Sequence, residues 1–397
     1  MNMKKILVIG AGFLQKFVIQ RAKALGYHTL AVDANPDAEG FAYADEYRVV
    51  NIVDQEACLA YAREKQIDGV LTAATDYGVL TASYIAQEMG LPGIPYEAAK
   101  RIKNKYQTRR CLFEHAVDDT KLAYEVAEDT DVAALAGELT YPVMVKPCDG
   151  SGSRGASRVN GPEELAAACA LAVGASPTRR ALVERFIFGR EYGAESLVVN
   201  GQVHVLSIMK KWMTEPPYYA ELGHAIPCGL PADVERHARD CVERAIKALE
   251  LSFGSINMDM LITDEGHVHI IDIGARMGGN MIGPWIIPGG TGVDYMTAML
   301  RNAVGDPADL TPAPHRAVAT RLLAFPKGVV RQLPDFAALE QAYGVRICHH
   351  LTVGDQINEY HTNLDGCGYV LAEADSAEEA AEIAERVRTE IENYIFA

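Results

Sequence analysis

The sequence has no apolar run that approaches the roughly 20 residues a helix needs to cross a bilayer. An apolar stretch near the amino terminus, Ile6 to Ile9, is too short for the core of a signal peptide. The eight cysteines form no CxxC pair, and the run Cys348-His349-His350 lacks the further ligands that a zinc site requires. We therefore expect a protein of the reducing cytoplasm that does not interact with a membrane.

Positive charge is also scarce in this chain. It has 37 Lys and Arg against 53 Asp and Glu, which gives a formal net charge of -16 at pH 7. This balance disfavours binding to nucleic acid or to an anionic membrane, because both depend on a basic protein surface. Local basic clusters still suit a small anionic ligand, so the partners we expect are small molecules.

A chain of 397 residues is too long for one compact core, so two or three domains are expected. Alternating strand and helix patterns predict a small parallel sheet in residues 1 to 95. The predicted strands of this region are residues 4–9, 29–33, 68–72 and 91–94, and the predicted helices are residues 13–25 and 79–89.

The later segments change in character. A basic helix is expected at 96–115, and residues 119–187 alternate strands with a helix at 163–173. The stretch 191–274 is rich in strands and holds a helix at 232–249. Strand-like runs at 317–323 and 368–374 precede a long, charged helix at 377–394. No internal repeat or low-complexity segment is present.

A first glycine motif, Gly10-Ala11-Gly12, lies between the first predicted strand and helix, and Asp33 ends the next strand. This arrangement is typical of dinucleotide-binding domains, but Gln15 stands where the third glycine would allow close packing of helix and strand. The glycines then have one of two roles. They are purely structural, or they line a cleft that is shared with later domains, which is the interpretation we favour.

A second glycine motif follows a strand that ends in Lys146. The segment Asp149 to Gly155 is rich in glycine and serine, and such a loop can direct its backbone N–H groups at phosphates while the lysine supplies a positive charge. It differs from a P-loop because the lysine precedes the loop, and a flexible surface turn is the alternative. Downstream, the apolar strand that includes Glu184 runs into a polar turn, and its backbone can pair with the edge of an adenine.

Paired carboxylates form the third motif. Residues 259–274 predict two strands joined by the turn Asp264-Glu265-Gly266, with Asp259 on one strand and Asp272 on the other. Arg276 follows just beyond. Two carboxylates beside a guanidinium suit a magnesium-nucleotide site, because hard cations take oxygen ligands and phosphoryl charge needs a cationic partner. The alternative is an ordinary surface hairpin.

In this order, the motifs resemble those of the ATP-grasp superfamily of carboxylate-amine ligases. The segments Lys211-Trp212-Met213-Thr214 and Ile273 to Gly279 look like those of bacilysin-type L-amino-acid ligases. The resemblance implies a multidomain protein of α/β and α+β class. It comprises a Rossmann-like parallel sheet (1–95), an ATP-grasp domain (96–310) with a small swinging lobe (119–187), and a carboxy-terminal α+β domain (311–397) like that of biotin-carboxylase-like proteins.

The resemblance also assigns roles to single residues. Arg276, Lys211 and His224 match catalytic positions, and Asp259 and Asp272 match ligands of Mg²⁺, with Mn²⁺ as a substitute. The substrate would contact Glu221, His224 and Arg276. The positions that match ATP-binding residues are Lys105, Lys146, Gly150, Ser151, Gly152, Ser153, Gly155, Glu184, Phe186, Ile187 and Glu191.

Two departures from the superfamily pattern concern the metal. Both metal positions are more often glutamate, whose side chain is one methylene longer than that of Asp259 or Asp272. Gly274 stands where many members have an asparagine ligand, so a second magnesium ion would need another donor. The similar amino-acid ligases tolerate glycine at this position.

The expected reaction forms an amide or peptide bond through an acyl phosphate, at the expense of ATP, with an amino acid as substrate. The sequence leaves the oligomeric state open; the similar ligases are commonly dimers, which makes a homodimer one candidate. Three alternatives remain open: activation of bicarbonate or formate, as in carboxylases and purine-biosynthesis enzymes, a nucleotide-binding sensor without turnover, and a dehydrogenase at Gly10 and Gly12.

Overall fold

A computed structural model describes residues 3–119, 123–150, 155–215 and 218–397. Its amino-terminal part is a parallel sheet, as the sequence predicted, and the strand order is β3-β2-β1-β4. In the described part of the chain, no helix has the length and apolar character needed to cross a membrane. The elements of this region are β1 (Lys5–Ile9), α1 (Gln15–Ala24), β2 (His28–Asp33), β3 (Glu46–Val49), α2 (Gln55–Lys65), β4 (Gly69–Thr72) and α3 (Val79–Met89).

Two local predictions for the region that follows were wrong. Residues 91–94 form no strand, because Gly90 ends α3 in a left-handed conformation and the Leu91 N–H bonds back to Ala86. Prolines at 92 and 95 also lack the N–H that a ladder needs. The single basic helix is divided into α4 (Tyr96–Lys103) and α5 (Lys105–Glu114), since the Asn104 side chain caps α5 by accepting from the Gln107 N–H.

A small lobe, residues 124–185, holds a second four-stranded sheet in the order β5-β8-β6-β7, with antiparallel pairing throughout. Helix α7 covers one face of this sheet with apolar side chains such as Leu165 and Ala172. The elements are β5 (Tyr124–Ala127), α6 (Val132–Ala136), β6 (Val143–Pro147), β7 (Ser157–Val159), α7 (Pro162–Ala175) and β8 (Arg180–Arg185).

The largest sheet has eight antiparallel strands in the order β13-β12-β9-β10-β11-β14-β18-β16, and we call it the large sheet. It runs across the predicted boundary at residue 310, because β11 pairs with β14. The elements from residue 190 onward are β9 (Arg190–Val199), β10 (Gln202–Met213), β11 (Glu221–Ile226), α8 (Ala232–Ala248), β12 (Gly254–Ile262), β13 (Val268–Gly274), α9 (Ile287–Thr291), α10 (Tyr295–Ala303), β14 (Ala317–Leu322), β15 (Gly328–Val329), α11 (Phe336–Tyr343), β16 (Val345–His349), β17 (Gln356–Ile357), β18 (Gly368–Ala374) and α12 (Ala377–Ile395). Strands β15 and β17 lie outside the large sheet and pair with each other.

The long carboxy-terminal helix α12 packs on β14 and β18. Ala380, Ala384, Val387 and Ile391 recur at helical spacing and are fully buried against the sheet. Ser376 caps the helix by accepting from the Glu379 N–H. This packing buries the apolar face of the large sheet beyond residue 310 in a core of its own.

The parallel sheet meets the large sheet at one point that matters for the site. Ala73, just after β4, forms a parallel bridge with Met277, and the Ala74 N–H donates to the Met277 carbonyl at 2.9 Å. The loop after β4 is therefore fixed against the segment that follows β13.

Candidate active site

The paired aspartates lie opposite each other on β12 and β13, as the sequence predicted. Asp259 and Asp272 are register partners, and a bulge follows Asp259. The turn is closed by a hydrogen bond from the Thr263 N–H to the His267 carbonyl at 3.0 Å. Strand β12 lies between β9 and β13 in the large sheet, so the segment is not an isolated surface hairpin.

Each aspartate faces a lysine. Lys105 Nζ lies 2.5 Å from Asp272 Oδ2, and Lys211 Nζ lies 2.8 Å from Asp259 Oδ1. Among the residues the structure describes, no three His, Cys, Asp or Glu side chains converge in a way that could hold a metal ion. The two aspartates therefore supply a pair of oxygen donors whose charge is balanced by lysines.

Lys211 is the centre of a buried lysine–carboxylate cluster. Its Nζ also lies 2.5 Å from Glu221 Oε1 and 3.3 Å from Glu191 Oε2, and its side chain is 1% exposed. Burial opposes the charge, but Asp259, Glu221 and Glu191 raise the pKa of Lys211 well above its usual value. Burial raises the pKa of Glu191 to about 7, although the charge of Lys211 opposes this.

Glu221 connects this cluster to the carboxy-terminal segment. Its Oε2 accepts from the amides of Asn280 and, at 2.8 Å, Asn363. The Tyr360 hydroxyl donates to the Glu221 carbonyl. Lys211 binds the other oxygen, Oε1. Both oxygens of the Glu221 carboxylate, which was predicted to face the substrate, therefore have protein partners.

His224 lies next to Lys211 on the adjacent strand, since the two residues are register partners on β11 and β10. Its Nε2 is 3.8 Å from Glu221 Oε1, and the residue is 2% exposed. Burial lowers the pKa of His224 to about 4, with Glu221 opposing the shift, so the ring is neutral at pH 7. Its Nδ1 has no hydrogen-bond partner within the described part of the chain.

Arg276 is held by residues that the sequence did not single out. Its Nε lies 2.9 Å from Asp76 Oδ1, on the loop after β4, and its Nη1 donates to Asn257 Oδ1 at 3.2 Å. Gly274 explains this position: a Cβ there would lie 2.9 Å from Arg276 Cζ and 3.0 Å from Asp76 Oδ1. The space that a side chain at position 274 would enter is occupied by the guanidinium of Arg276.

A fully buried glutamate, Glu195, supports the same region. It accepts from the Tyr295 hydroxyl at 2.5 Å, the Asn257 amide at 3.0 Å and the Gly278 N–H at 3.1 Å. Burial raises the pKa of Glu195 to about 7, against the effect of these hydrogen bonds. A sequence signal existed, because Glu195 lies four residues after Glu191 and thus on the same face of β9.

Lys146 forms an ion pair with Glu184, whose carboxylate also contacts Arg109. Glu184 Oε1 lies 2.7 Å from Lys146 Nζ, and Glu184 Oε2 lies 2.7 Å from Arg109 Nε. Burial would raise the pKa of Glu184, but Arg109 and Lys146 lower it to about 2. Since Arg109 is only 2% exposed, it does not belong to a solvated basic face.

The predicted adenine segment lies between β8 and β9. The Phe186 N–H donates to the Pro142 carbonyl at 3.1 Å, and the Phe186 ring lies 5.1 Å from that of Phe188. Ile187 follows in the same turn. Of the glycine loop, Gly150 and Gly155 are described, and Gly155 has a φ of +74° that favours glycine. Ser151, Gly152 and Ser153 lie outside the described residues.

The first glycine motif forms a turn that is held by hydrogen bonds within the protein, and the Asp33 carboxylate takes part in one of them. Asp33 Oδ2 accepts from the Ala11 N–H at 2.8 Å, and the Gln15 amide donates to the Ala73 carbonyl at 2.6 Å. A Cβ on Gly12 would lie 3.0 Å from Gln15 Oε1, so the glutamine fills the space above the turn. Leu14 lies close to Gly279, which places this turn beside the Arg276 segment.

Comparison with known proteins agrees with this arrangement. Residues 139–284 match the family described as ATP-grasp domain, and residues 321–395 match the family described as L-amino acid ligase C-terminal domain 2. The chain therefore contains an ATP-grasp domain followed by an L-amino acid ligase carboxy-terminal domain. The ATP-grasp match includes Lys146, both aspartates and Arg276, whereas Lys105 lies ahead of it.

Three similar proteins illustrate the range of the matches. An uncharacterized protein of Sinorhizobium fredii is 27% identical over 93% of this chain and 78% of its own length. A formate-dependent phosphoribosylglycinamide formyltransferase of Parasynechococcus marenigrum is 32% identical over 46% of this chain, which spans only 48% of that relative. The L-amino acid ligase of Bacillus licheniformis has a similar structure, with a TM-score of 0.83, 22% identity and coverage of 98% of this chain and 97% of its own. At that identity the likeness shows the fold alone.

Proposed function

We propose that this ATP-grasp protein forms an amide or peptide bond between a carboxylate and an amine through an acyl phosphate, and that one substrate is an amino acid. The observation that carries the proposal is the pair Asp259 and Asp272 with Lys211 and Lys105 on them. Arg276 is bound to Asn257, two residues before Asp259 on the same strand. Arg276 donates to Asp76 through Nε and to Asn257 through Nη1, and the further N–H donors of its guanidinium suit an anion. The carboxy-terminal match to an L-amino acid ligase domain favours an amino acid as substrate.

The residues present fit a magnesium ion. Asp259 and Asp272 offer hard oxygen donors on adjacent strands, and Mg²⁺ in nucleotide sites commonly uses one or two carboxylates together with substrate phosphates. A bound Mg²⁺ would neutralise charge on the phosphates; Mn²⁺, which favours similar ligands, is a substitute. The aspartates are the residues that would hold it.

The lysines have two tasks in this proposal. In the structure Lys105 neutralises Asp272, whereas Lys146 neutralises Glu184. With nucleotide bound, Lys105 and Lys146 would contact phosphates. Each lysine is mostly shielded from solvent, with side chains 17% and 16% exposed, so its charge acts at short range. Phosphoryl transfer depends mainly on such positioning and charge neutralisation.

The two chemical steps balance without a protein nucleophile. The substrate carboxylate attacks the γ-phosphorus of ATP and ADP leaves, which gives an acyl phosphate. The amine then attacks the acyl carbon, phosphate leaves, and the amine's proton must be removed. Arg276 would hold the activated carboxylate, and His224, whose Nδ1 has no partner among the described residues, would orient it. The departing phosphate can take up the amine's proton.

The proposal is tested by measuring ATP-dependent phosphate release with pairwise pools of amino acids and amines. Mass spectrometry of the mixture should reveal an amide product. Release that responds only to bicarbonate or formate would favour the alternative suggested by the formyltransferase relative. ATP binding with no phosphate release from any pool would favour a nucleotide sensor.

Asp272→Asn provides a mutational test of the metal assignment. The substitution keeps the shape of the side chain but removes the charge, so turnover should fall at least about 100-fold while the melting temperature changes little. Asp264→Asn is the matched control, because the Asp264 side chain lies on the turn of the same hairpin and is 86% exposed, and it should keep full activity. Full activity of Asp272→Asn would refute the assignment.

A further inference from the structure

Arg109 on α5 is a buried cation that the proposed reaction does not use. It is 2% exposed, whereas its neighbour Arg110 points into solvent with a side chain that is 58% exposed and pairs with Glu114. A buried guanidinium is tolerated only when its charge and its donors are matched by partners. The partners of Arg109 therefore define what it does.

These partners come from two different sheets. Arg109 Nε contacts Glu184 on β8 of the small lobe at 2.7 Å. Its Nη2 donates to the Ile271 carbonyl at 3.1 Å, and its Nη1 donates to the Ile270 carbonyl, both on β13 of the large sheet. One side chain thus connects the small lobe to the strand that carries Asp272.

The contacts close into a ring. Glu184 uses its other oxygen to bind Lys146 Nζ at 2.7 Å, and Lys146 Nζ lies 3.5 Å from the same Ile271 carbonyl that Arg109 contacts. Asp272 is the next residue along β13. The ring therefore fixes Lys146 of the small lobe relative to Asp272 of the large sheet.

We propose that Arg109 is a positioning residue, which holds the small lobe against β13 so that Lys146 and Asp272 keep the separation that a metal-nucleotide needs. This inference rests on the proposed function, which assigns both residues to the nucleotide site. It adds a group that touches neither substrate nor nucleotide and acts through Glu184. Misplacement of a binding group by about 1 Å can reduce activity about 100-fold, so a positioning role has a measurable effect.

Arg109→Met tests the proposal by removing the guanidinium and keeping an apolar stem of similar length. Glu184 then has only Lys146 as a cationic partner, and the β13 carbonyls lose their link to the small lobe. We expect the dissociation constant of MgADP, measured by isothermal titration calorimetry on the full chain, to rise at least about 10-fold. Arg110→Met, one residue away on the same helix, is the matched control and should bind MgADP like the unsubstituted protein.

Two further variants separate positioning from folding. Arg109→Lys keeps the charge but cannot contact Glu184 and both carbonyls at once, so a loss of about 3- to 10-fold is expected from a well-folded protein. Glu184→Gln alone should also weaken MgADP binding, because it removes the partner of Lys146. Combined with Arg109→Met, the loss should be smaller than the sum of the two single losses, because Arg109 acts through Glu184. A purely structural role would lower the melting temperature and leave the MgADP affinity of the folded fraction unchanged.

The outcomes distinguish this inference from the function it rests on. If the unsubstituted protein binds MgADP but folded Arg109→Lys and Arg109→Met bind it within about twofold as tightly, the positioning role is refuted and the proposed ligase stands. Additive losses in the double variant would also refute it. Failure of the unsubstituted protein to bind any adenine nucleotide would refute both.

Discussion

Glu195 shows how a single buried carboxyl group can make stability depend on pH. Its pKa is raised from 4.5 to about 7, so between these values the unfolded chain loses the proton while the folded chain keeps it. Rising pH in this window therefore favours unfolding. The stabilisation of the folded protein by the neutral Glu195 carboxyl is fully present below pH 4.5 and is lost as pH rises through about 7.

Glu195→Gln removes this titration. The free energy of unfolding of the unsubstituted protein, relative to the variant, should fall by about 3 kcal/mol between pH 4.5 and 8. Unfolding in urea, followed by tryptophan fluorescence at a series of pH values, measures the difference. Glu373→Gln, at an exposed position of β18, is the control for general effects of pH. The expectation would be contradicted if the difference in unfolding free energy between Glu195→Gln and the unsubstituted protein did not change with pH.

At the residue scale, the sequence identified several charged residues that are far apart in the chain and close together in the structure. It did not identify all of their contact partners. Lys105, Lys146, Lys211, Asp259 and Asp272 were predicted from motif order, and the structure brings them to neighbouring positions. Asp76, Arg109, Asn257 and Asn363 were missed. Each contacts a predicted residue only because separate strands and loops meet in space, which no local pattern encodes.

At the scale of elements, the hairpin β12–β13 and the segment after it depend on Gly274. An added Cβ would press on the Arg276 guanidinium, the far end of a flexible side chain that can move away. Gly274→Ala should therefore change the free energy of unfolding by no more than about 1 kcal/mol. Turnover should fall at least about 10-fold, because the displaced guanidinium no longer lies beside Asp76 and Asn257.

Phosphate-release kinetics together with thermal unfolding measure the two effects of Gly274→Ala. Gly174→Ala is the matched control, because a Cβ there, within helix α7, meets nothing within 4 Å. Turnover at the normal rate in Gly274→Ala would mean that the position of Arg276 does not matter for the reaction.

Elements with strong periodicity were predicted well. Helix α3 and strand β18 begin and end at the residues expected from the sequence, and α12 differs by one residue. The errors lie where single residues end an element, at Gly90 and Asn104. Short elements such as β3, α9 and α10 were not predicted, because few residues repeat in them and their packing partners are distant in sequence.

At the scale of the whole molecule, the large sheet makes the carboxy-terminal segment part of the central structure. A protein that ends at residue 310 would expose the pairing edge of β11 at Ala225 and Ile226. It would also lose Asn363 and Tyr360 from Glu221. We expect it to aggregate, since an unpaired edge strand invites association, and size-exclusion chromatography measures this.

Asn363→Ala in the full chain separates the two effects of that truncation. It removes only one contact to Glu221, so the protein should stay soluble and monodisperse while its substrate response weakens. A soluble, nucleotide-binding protein that ends at residue 310 would contradict the expectation for the truncation.

The whole-molecule organisation was only partly foreseen. The sequence predicted the amino-terminal parallel sheet because alternation of strands and helices is a local signal. Nothing local indicated that β11 and β14, about 90 residues apart, would join two segments in one sheet. The predicted boundary near residue 310 therefore marks a change of sequence pattern, and the hydrogen-bonded sheet runs across it.

The contact between Asp76 and Arg276 has a consequence for how such a gene could be rearranged. A gene fragment that encodes only residues 139–284 would supply Asp259, Asp272, Lys146 and Arg276, yet it would leave out Asp76, Lys105, Arg109 and Asn363. Recombination at the ends of that fragment would separate charges from their counter-ions. A functional exchange between related genes would need to transfer the three segments together, or to carry matching partners at each junction.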